Sequence, residues 1–357
     1  MIADGTLLVK LFKQINETLN ERDGLFPKRD LENTKRVNAL RERYLSELEK
    51  QTYNSWFPDE AVVQETDFGQ NVLFICGYIK SGTTLFLSLL DNHPELIVLP
   101  GDSHLVHLLE HFSCEERNAW IRRWVWHFVC PTGQKPFWVL GGEEQYIEFW
   151  QYLSFWLEQL CPQGDAGLLT TVSYAYFCAN PKRPSTPKLW VEKTPRNERD
   201  IPKIRELFPN ARFIHMIRDP FQNIVSLKKL NNFRGWHWRM VRTVFSLWRS
   251  LILGLRHRYR LGVEQYLFIS YEALVTNSDK TMRQVAEFLD IKWNTSMLTS
   301  TVNGLPMKAN SMFKDRQMTG VINSKLTNDW SSELSWYEKV VAVIFLYPLK
   351  WVQRWVI

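Results

Sequence analysis

The sequence predicts an α/β fold, in which a P-loop-like parallel sheet is flanked by helices in a single domain of residues 1–357. Four short apolar runs each end in a polar cluster, as strands buried on both faces do. These runs are Val72–Cys76, Leu189–Val191, Phe213–Ile217 and Tyr266–Ile269. Helical spacing of apolar residues separates them, notably over residues 201–208 and 282–289. Strands that alternate with helices in this way indicate a parallel sheet with helices on both sides.

Composition and charge narrow the classes of function. The chain is 45% hydrophobic and 14% aromatic, which is enough to build a large core. Its formal charge of +6 fits an anionic ligand, but the basic residues are too scattered to predict a nucleic-acid partner. The five cysteines are odd in number and form no CxxC pair, so the sequence predicts neither a zinc site nor a disulfide framework. A reducing compartment is the simpler expectation.

Three segments lie outside the alternating pattern. Residues 1–60 combine many charges with leucines at helical spacing and contain no signal-peptide core, so we expect an N-terminal helical extension and a cytoplasmic protein. Segment 112–187 carries six tryptophans, and we expect a helical cap on the acceptor side of the site. Alternatively, these tryptophans fill core against the N-terminal helices. The apolar stretch Val340–Leu349 is too short to span a bilayer, although Trp351 and Trp355 leave peripheral membrane contact open.

A phosphate-binding turn is predicted directly after the first strand. Gly77 starts the turn, Lys80, Ser81 and Gly82 follow, and Thr83 and Thr84 open an apolar helical run. Glycines let backbone amides converge on an oxyanion, and the helix N-terminus adds partial positive charge. The glycine spacing matches a Walker A loop, but Thr83 stands where that loop has its lysine. The sequence therefore disfavours an ordinary ATPase.

A second anion site is predicted at the end of another strand. Arg218 follows the run Phe213–Ile217, and Asp219 and Pro220 are suited to start the next helix. Ser226 lies on that helix and is expected to return its hydroxyl toward the same point. A guanidinium fork with one hydroxyl suits a phosphate monoester.

These motifs together resemble the sulfotransferases that use 3'-phosphoadenosine 5'-phosphosulfate (PAPS). The run Lys80–Thr84 looks like their 5'-phosphosulfate loop, and Arg218 with Ser226 resembles their 3'-phosphate motif, including its spacing. Residues 190–195 and 208–213 resemble the bacterial and tyrosylprotein branches more than the cytosolic small-molecule branch. Residues 270–274 are similar to the segment that packs a tyrosine, here Tyr271, beside the adenine. The resemblance implies PAPS as donor substrate and no metal.

Sulfuryl transfer also requires positive charge at the leaving group and a base at the acceptor. Lys80 and Lys193, the latter at the end of a neighbouring strand, are candidates for the charge. The resemblance places a catalytic carboxylate or histidine near residue 102, where Asp102 and His104 are the nearest groups. We favour Asp102 as the base, with capping of the following helix as the alternative for each residue. His104, His107 and His111 share one helical face, but no further ligand completes a metal site in the sequence.

The predicted function is therefore a sulfotransferase with a hydroxyl or amine acceptor, using in-line transfer. A P-loop nucleotide kinase or NTPase is one alternative, and a nucleotide-binding protein without catalysis is another. The acceptor class stays open among small molecules, carbohydrates, lipids and peptides, and the sequence does not give the oligomeric state.

Overall fold

The computed structural model of the chain describes residues 7–8, 10–11, 14, 31–52, 56–66, 68–129, 139–230, 236–306 and 330–356, without the side chains of 31–34, 230 and 236–238. Five parallel strands form the central sheet in the order β2-β3-β1-β4-β5. Their bounds are β1 Val72–Cys76, β2 Leu96–Val98, β3 Leu189–Lys193, β4 Arg212–Ile217 and β5 Tyr266–Ser270. The predicted fold class is confirmed.

All four predicted strands are present, and the sheet adds one that the sequence did not predict. Strand β2 is only three residues long, and Pro94 and Pro100 lie on either side of it. It forms the edge beside β3, with Val98 opposite Val191. A small antiparallel pair, β6 Thr301–Val302 and β7 Leu305–Pro306, lies outside the main sheet.

Helices cover both faces of the sheet. In chain order they are α1 Leu31–Gln51, α2 Glu60–Gln64, α3 Thr83–Leu90, α4 Leu105–Leu108, α5 Arg117–Val129, α6 Glu143–Leu160, α7 Asp165–Ala179, α8 Ile201–Leu207, α9 Pro220–Leu230, α10 Trp236–Leu261, α11 Tyr271–Thr276, α12 Ser278–Leu289 and α13 Trp336–Arg354. The two predicted helical patterns correspond to α8 and α12. Among the described residues, none of these helices combines the length and apolarity that crossing a membrane requires.

The pleat of β1 divides the core into two halves. Val72, Phe74 and Cys76 point into one hydrophobic cluster, whereas Leu73 and Ile75 point into the other. Successive strand side chains alternate between faces, so a strand covered on both sides must be apolar throughout. This explains why the strand sequences read as continuous apolar runs. It also leaves the carboxyl ends of the strands as the edge where polar groups collect.

The N-terminal segment and the tryptophan-rich segment form helices that pack together. Tyr44, Leu45 and Leu48 of α1 are buried, and Arg122 of α5 donates to Glu49 of α1 at 2.9 Å. Segment 112–187 contributes α5, α6 and α7 to the larger hydrophobic cluster. The helical character expected of both segments is thus present, while their assignment to one domain with the sheet stays a prediction.

The cysteine prediction was wrong in one respect. Cys114, before α5, and Cys161, after α6, form a disulfide across a sequence separation of 47 residues. Sequence spacing does not reveal such a pair, because the fold alone brings the two residues together. Cys76 and Cys178 are free and buried, and Cys130 lies outside the described residues. The cysteines therefore no longer favour a reducing compartment, and the cytoplasmic location stays a prediction.

Candidate active site

The predicted phosphate turn joins β1 to α3 in a conformation that requires glycine. Gly77 and Gly82 have φ values of 130° and 98°, and Lys80 is also left-handed at 70°. A Cβ atom on Gly77 would lie 2.6 Å from the backbone oxygen of Met216, and one on Gly82 would overlap the ring of Tyr271. The turn is therefore packed directly against the neighbouring strand ends. The first helical hydrogen bond runs from Phe86 N to Gly82 O, which leaves the preceding amides of α3 available for an anion.

Groups from the two flanking strands fasten this turn. Glu198, after β3, accepts a hydrogen bond from Gly77 N at 3.0 Å. Asn223 of α9 donates to Ile79 O at 3.2 Å. Arg218, at the end of β4, donates from Nη1 to Lys80 O at 3.1 Å. The two sequence-predicted anion sites are thus in direct contact.

Lys193 connects the turn to the loop after β2. Its Nζ donates to Thr84 Oγ1 at 3.1 Å and forms an ion pair with the Asp102 carboxylate. The lysine side chain is 1% exposed, whereas that of Asp102 is 44% exposed. The buried Lys193 ammonium therefore links the start of α3 to the solvent-accessible carboxylate of Asp102.

Lys80 lies in the same electrostatic environment. Burial lowers its pKa, and the nearby positive charges of Arg218 and Lys193 lower it further, whereas Asp102 raises it. Three neighbouring cations repel one another, and such a cluster indicates a place suited to a multiply charged anion. Bound phosphate groups would relieve this repulsion.

The two candidate bases, Asp102 and His104, lie in the loop between β2 and α4. Neither caps the helix with its side chain: Asp102 pairs with Lys193, and His104 holds the helix N-terminal position with φ 56° and no side-chain cap. Ser103, between them, is buried and accepts from Leu105 N at 3.2 Å. The capping alternative therefore applies to the serine rather than to either candidate base.

A buried carboxylate holds this loop in place. Glu192 of β3 is fully buried and accepts hydrogen bonds from Ser103, from Thr194 at 2.6 Å and from Asn197 at 2.6 Å. Thr194 Oγ1 in turn accepts from His104 N at 2.8 Å. Burial raises the pKa of Glu192, and the three donors partly offset this. The network fixes the backbone that carries Asp102 and His104.

His104 is exposed beside other ionisable groups. Burial of part of its ring lowers its pKa, Asp102 raises it, and His107, Arg123 and Lys193 lower it. His107 Nε2 lies 3.6 Å from Asp200 Oδ2. Within the described part of the chain, no group of three or more His, Cys, Asp or Glu side chains is arranged to hold a metal ion.

The second anion site combines Arg218 with an aromatic ring. The guanidinium lies 4.4 Å above the Tyr271 ring centroid, and that ring packs against Gly82. Among the described residues, the buried Arg218 Nε has no hydrogen-bond partner. Ser226 is half-buried on α9, one helical turn beyond Asn223. The structure brings Arg218, Tyr271 and the phosphate turn together, and it places Ser226 on the helix that leads away from them.

Four of the six tryptophans of segment 112–187 are core residues, whereas Trp126 is half-buried and Trp138 lies outside the described residues. Trp120 and Trp124 are fully buried, and Trp150 and Trp156 are 4% and 6% exposed. The burial of these four rings fits the alternative that they fill core, and the acceptor-side role of the segment stays a prediction. The segment approaches the site through α5, because His127 lies 3.1 Å from Pro100 O and Arg123 acts electrostatically on His104.

Sequence reasoning missed three supporting residues: Glu192, Glu198 and Asn223. Each is buried and polar and binds the backbone or side chains of the site's loops. Glu192 could have been recognised from the sequence, because it is a charged residue inside a run that otherwise predicts a buried strand. The signal for Asn223 was its position three residues before Ser226, on the same face of the helix. Glu198 carried no such signal, since it lies in a short 3₁₀ helix, Asn197–Arg199.

Comparison with known sequences identifies one family. The profile described as "Sulfotransferase family" matches residues 73–295. A protein-tyrosine sulfotransferase of Drosophila melanogaster is 25% identical over 281 residues, which cover 74% of this chain and 47% of that protein. Protein-tyrosine sulfotransferase A of Caenorhabditis elegans is 26% identical over 234 residues, covering 63% and 51%. The chain thus spans about half the length of these two relatives.

Solved structures of the same family give more distant matches. The sulfotransferase domain of the Synechococcus PCC 7002 olefin synthase is 18% identical, with 81% of this chain and 94% of that chain covered and a TM-score of 0.48. A mouse sulfotransferase in complex with PAP is 14% identical, with 82% and 88% covered and a TM-score of 0.41.

Proposed function

The chain belongs to the sulfotransferase family, and we propose that it transfers a sulfuryl group from PAPS to an acceptor hydroxyl. One observation carries the proposal: the buried ammonium of Lys193 joins Thr84 of the phosphate turn to the carboxylate of Asp102. A group bound at the turn and a hydroxyl beside Asp102 would therefore meet at Lys193. That is the arrangement required to pass a group from an anionic donor to an acceptor.

The residues at the strand ends fit the donor's charges. The open amides of α3, together with Lys80 and Thr84, suit the 5'-phosphosulfate. Arg218 suits the 3'-phosphate, because its buried Nε has no partner among the described residues and a phosphate monoester would satisfy it. The ring of Tyr271 packs against one face of the Arg218 guanidinium and so orients it. Ser226 is proposed as a further ligand of the 3'-phosphate on the strength of the sequence motif.

The cations provide the chemistry of the leaving group. In-line transfer of SO3 places growing negative charge on the oxygen that bridges sulfur and phosphorus. Lys80 and Lys193 lie on the turn and beside it, and preorganised cations stabilise such charge without reorganisation at the moment of reaction. Lys193 is held by Thr84 and Asp102, so its ammonium is already oriented.

Asp102 is proposed as the general base. It is the candidate that is both exposed and fixed, because one oxygen is held by Lys193 while the carboxylate remains open to an incoming hydroxyl. A base must first lie within hydrogen-bond reach of the proton it takes, and an acceptor hydroxyl beside the open Asp102 oxygen would meet that condition. His104 is proposed to line the acceptor entrance, where burial of part of its ring lowers its pKa and favours the neutral form.

The kinase alternative has no comparable support. Thr83 stands where a Walker A loop has its lysine, and the buried lysine of this site comes instead from β3. Both features fit sulfuryl transfer.

We propose a tyrosine hydroxyl on a peptide or protein as the acceptor. The support is that two relatives that match 74% and 63% of this chain are called protein-tyrosine sulfotransferases. Carbohydrate and lipid hydroxyls are the competing acceptors.

The test is transfer of sulfur-35 from labelled PAPS. Purified full-length protein is incubated with tyrosine peptides, oligosaccharides and lipid alcohols, and label in each product is counted beside the Lys80→Ala variant. The proposal expects tyrosine-bound label that falls by about a hundredfold or more in the variant. Label in another acceptor class would overturn the tyrosine assignment alone. Absence of transfer to every class, with nucleotide bound, would overturn sulfuryl transfer.

A further inference from the structure

The outer face of two neighbouring helices, α10 and α13, exposes a large apolar surface, which we call the helical docking face. On α10 it includes Phe245, Ile252 and Tyr259, which repeat every seven residues and therefore share one side of the helix. On α13 it includes Ile344, Trp351 and Trp355, exposed by 59%, 62% and 76%. Exposed apolar side chains that adjoin one another in this way indicate a binding surface.

The two helices form one continuous face. Trp248 of α10 lies one turn from both Phe245 and Ile252, and its Nε1 donates to Phe345 O of α13 at 3.0 Å. Phe345 is itself 45% exposed. The exposed aromatic residues of the two helices therefore meet along this seam.

The charges on this face have a single sign. Helix α10 contains no acidic residue, and its exposed arginines are Arg239, Arg242, Arg249, Arg256 and Arg260, the last four of which share the side of Phe245, Ile252 and Tyr259. The only acidic residue of α13 is Glu338, which is 2% exposed and bonded to Lys228. Arginines interleaved with exposed tryptophan, tyrosine and phenylalanine are typical of helices that lie in a membrane interface.

We propose that the helical docking face binds the surface of an anionic lipid bilayer. Aromatic side chains prefer the boundary between headgroups and acyl chains, and the arginines are attracted to lipid phosphates and carboxylates. A second copy of the chain fits less well, because a two-fold interface would bring the same arginines against each other.

Docking would place the candidate active site close to the bilayer. Lys228 of α9 pairs with Glu338 near the start of α13, and Asp219, just before α9, pairs with Lys350 near its end at 2.6 Å. Helices α9 and α13 are therefore antiparallel. The end of α13 that carries Trp351 and Trp355 thus lies beside Asp219, which directly follows Arg218 of the proposed nucleotide site.

The test is co-sedimentation of the full chain with vesicles of phosphatidylcholine that contain phosphatidylserine, compared with phosphatidylcholine alone. We expect binding to the anionic vesicles that weakens in high salt. Arg242→Glu with Arg256→Glu should weaken it by about thirtyfold or more, since each basic residue near an anionic surface contributes about fivefold. Trp351→Ser with Trp355→Ser should weaken it by about tenfold or more, because both rings leave the interface.

Matched control variants separate the contribution of the helical docking face to vesicle binding from the effects of net charge and of exposed aromatic rings elsewhere. Lys203→Glu with Arg205→Glu changes the net charge equally on the exposed side of α8, and Phe57→Ser removes an aromatic ring that is 84% exposed elsewhere. Both controls should bind vesicles as the wild type does. All variants should bind adenosine 3',5'-bisphosphate normally without vesicles, so failure here is distinct from failure of the proposed function. No binding to anionic vesicles, equal loss in the controls, or a dimer that the tryptophan variant dissociates would overturn the proposal.

Discussion

At the scale of single residues, two buried charged side chains of the site are each held by only two or three hydrogen-bonding partners. Lys193 is buried with two partners, Thr84 at the start of α3 and Asp102 in the loop between β2 and α4. A change to any of the three therefore alters the orientation of the other two. Glu192 likewise orients the backbone around residue 103 through the hydrogen bonds that it accepts. The catalytic predictions use Asp102→Asn, which keeps a side-chain oxygen that can accept from Lys193, and His104→Ala, which lies outside this trio.

Asp102 and His104 provide the sharpest comparison at this scale. Asp102→Asn keeps the shape of the side chain but removes a proton acceptor, so turnover should fall by about a hundredfold or more. Nucleotide binding, measured by titration calorimetry, should stay within a few-fold because the α3 amides and Arg218 are unchanged. His104→Ala should have the milder effect on turnover. A larger loss in His104→Ala than in Asp102→Asn would transfer the role of base to the histidine.

At the scale of elements, the turn between β1 and α3 decides whether the nucleotide can bind. Gly82→Ala forces a side chain into a left-handed position and pushes it into the ring of Tyr271, on which Arg218 rests. We expect the affinity for adenosine 3',5'-bisphosphate to fall by at least about tenfold, as one displaced contact of about 1.4 kcal/mol suffices for that.

Gly262→Ala is the matched control for this substitution. Gly262 also has positive φ, at 78°, but no atom lies within 4 Å of its Cβ position. Both variants should lose about 1 kcal/mol or more of stability from backbone strain in chemical denaturation. Only Gly82→Ala should lose affinity. Equal affinities in the two variants would mean that Tyr271 does not support the nucleotide site.

The positions of strands and helices could be predicted from the sequence only where the residues of the element themselves formed a recognisable pattern. The runs that became β1, β3, β4 and β5 are apolar because both faces of the sheet are covered, so their position was predictable. Strand β2 was not predicted, since three residues are too few for a period to be distinguished. The pairing of Lys193 with Asp102 likewise had no local signal, because residues 91 positions apart meet only through the sheet order.

At the scale of the whole molecule, a covalent bond closes part of the helical layer. The disulfide between Cys114 and Cys161 encloses α5 and α6, whose aromatic residues form much of the larger cluster. A loop of this length restricts the unfolded chain by about 4 kcal/mol in the chain-entropy description. Cys114→Ser with Cys161→Ser should therefore lower the free energy of unfolding by about 2–4 kcal/mol.

Denaturation in urea with and without a reductant checks this prediction. The reductant should destabilise the wild type by the same amount as the double substitution and leave the double variant unchanged. The variant Cys76→Ser removes a free cysteine and should remain sensitive to the reductant. A wild type that is insensitive to reduction would contradict the disulfide's role in stability.

We expect His215, which is buried between the sheet and α10, to contribute to the loss of stability in acid. Burial lowers its pKa. Ser250 donates its proton to Glu198 at 2.5 Å, so the neutral ring can donate from Nε2 to Ser250 and accept at Nδ1 from Tyr266. Because the folded protein keeps His215 neutral while the unfolded chain protonates it, stability is lost as pH falls below about 6.5. The loss continues until the lowered pKa of the folded state is reached.

His215→Gln tests this origin. The variant should be less stable than the wild type at pH 7.5, but its unfolding free energy should fall less steeply between about pH 6.5 and 5, by up to about 1.4 kcal/mol per pH unit. Urea denaturation at several pH values measures the slope. The exposed His111→Gln should keep the wild-type slope. A slope unchanged in His215→Gln would assign the acid sensitivity to other groups.

The most direct test of the account is the affinity of the purified chain for adenosine 3',5'-bisphosphate and for adenosine 5'-phosphate, measured by titration calorimetry for wild type, Arg218→Ala and Ser226→Ala. The account predicts that the wild type binds the bisphosphate more tightly. It also predicts that Arg218→Ala removes most of this preference, because it removes the charged fork, and that Ser226→Ala removes less. Equal affinity of the wild type for the two nucleotides, or equal losses for both in Arg218→Ala, would contradict it.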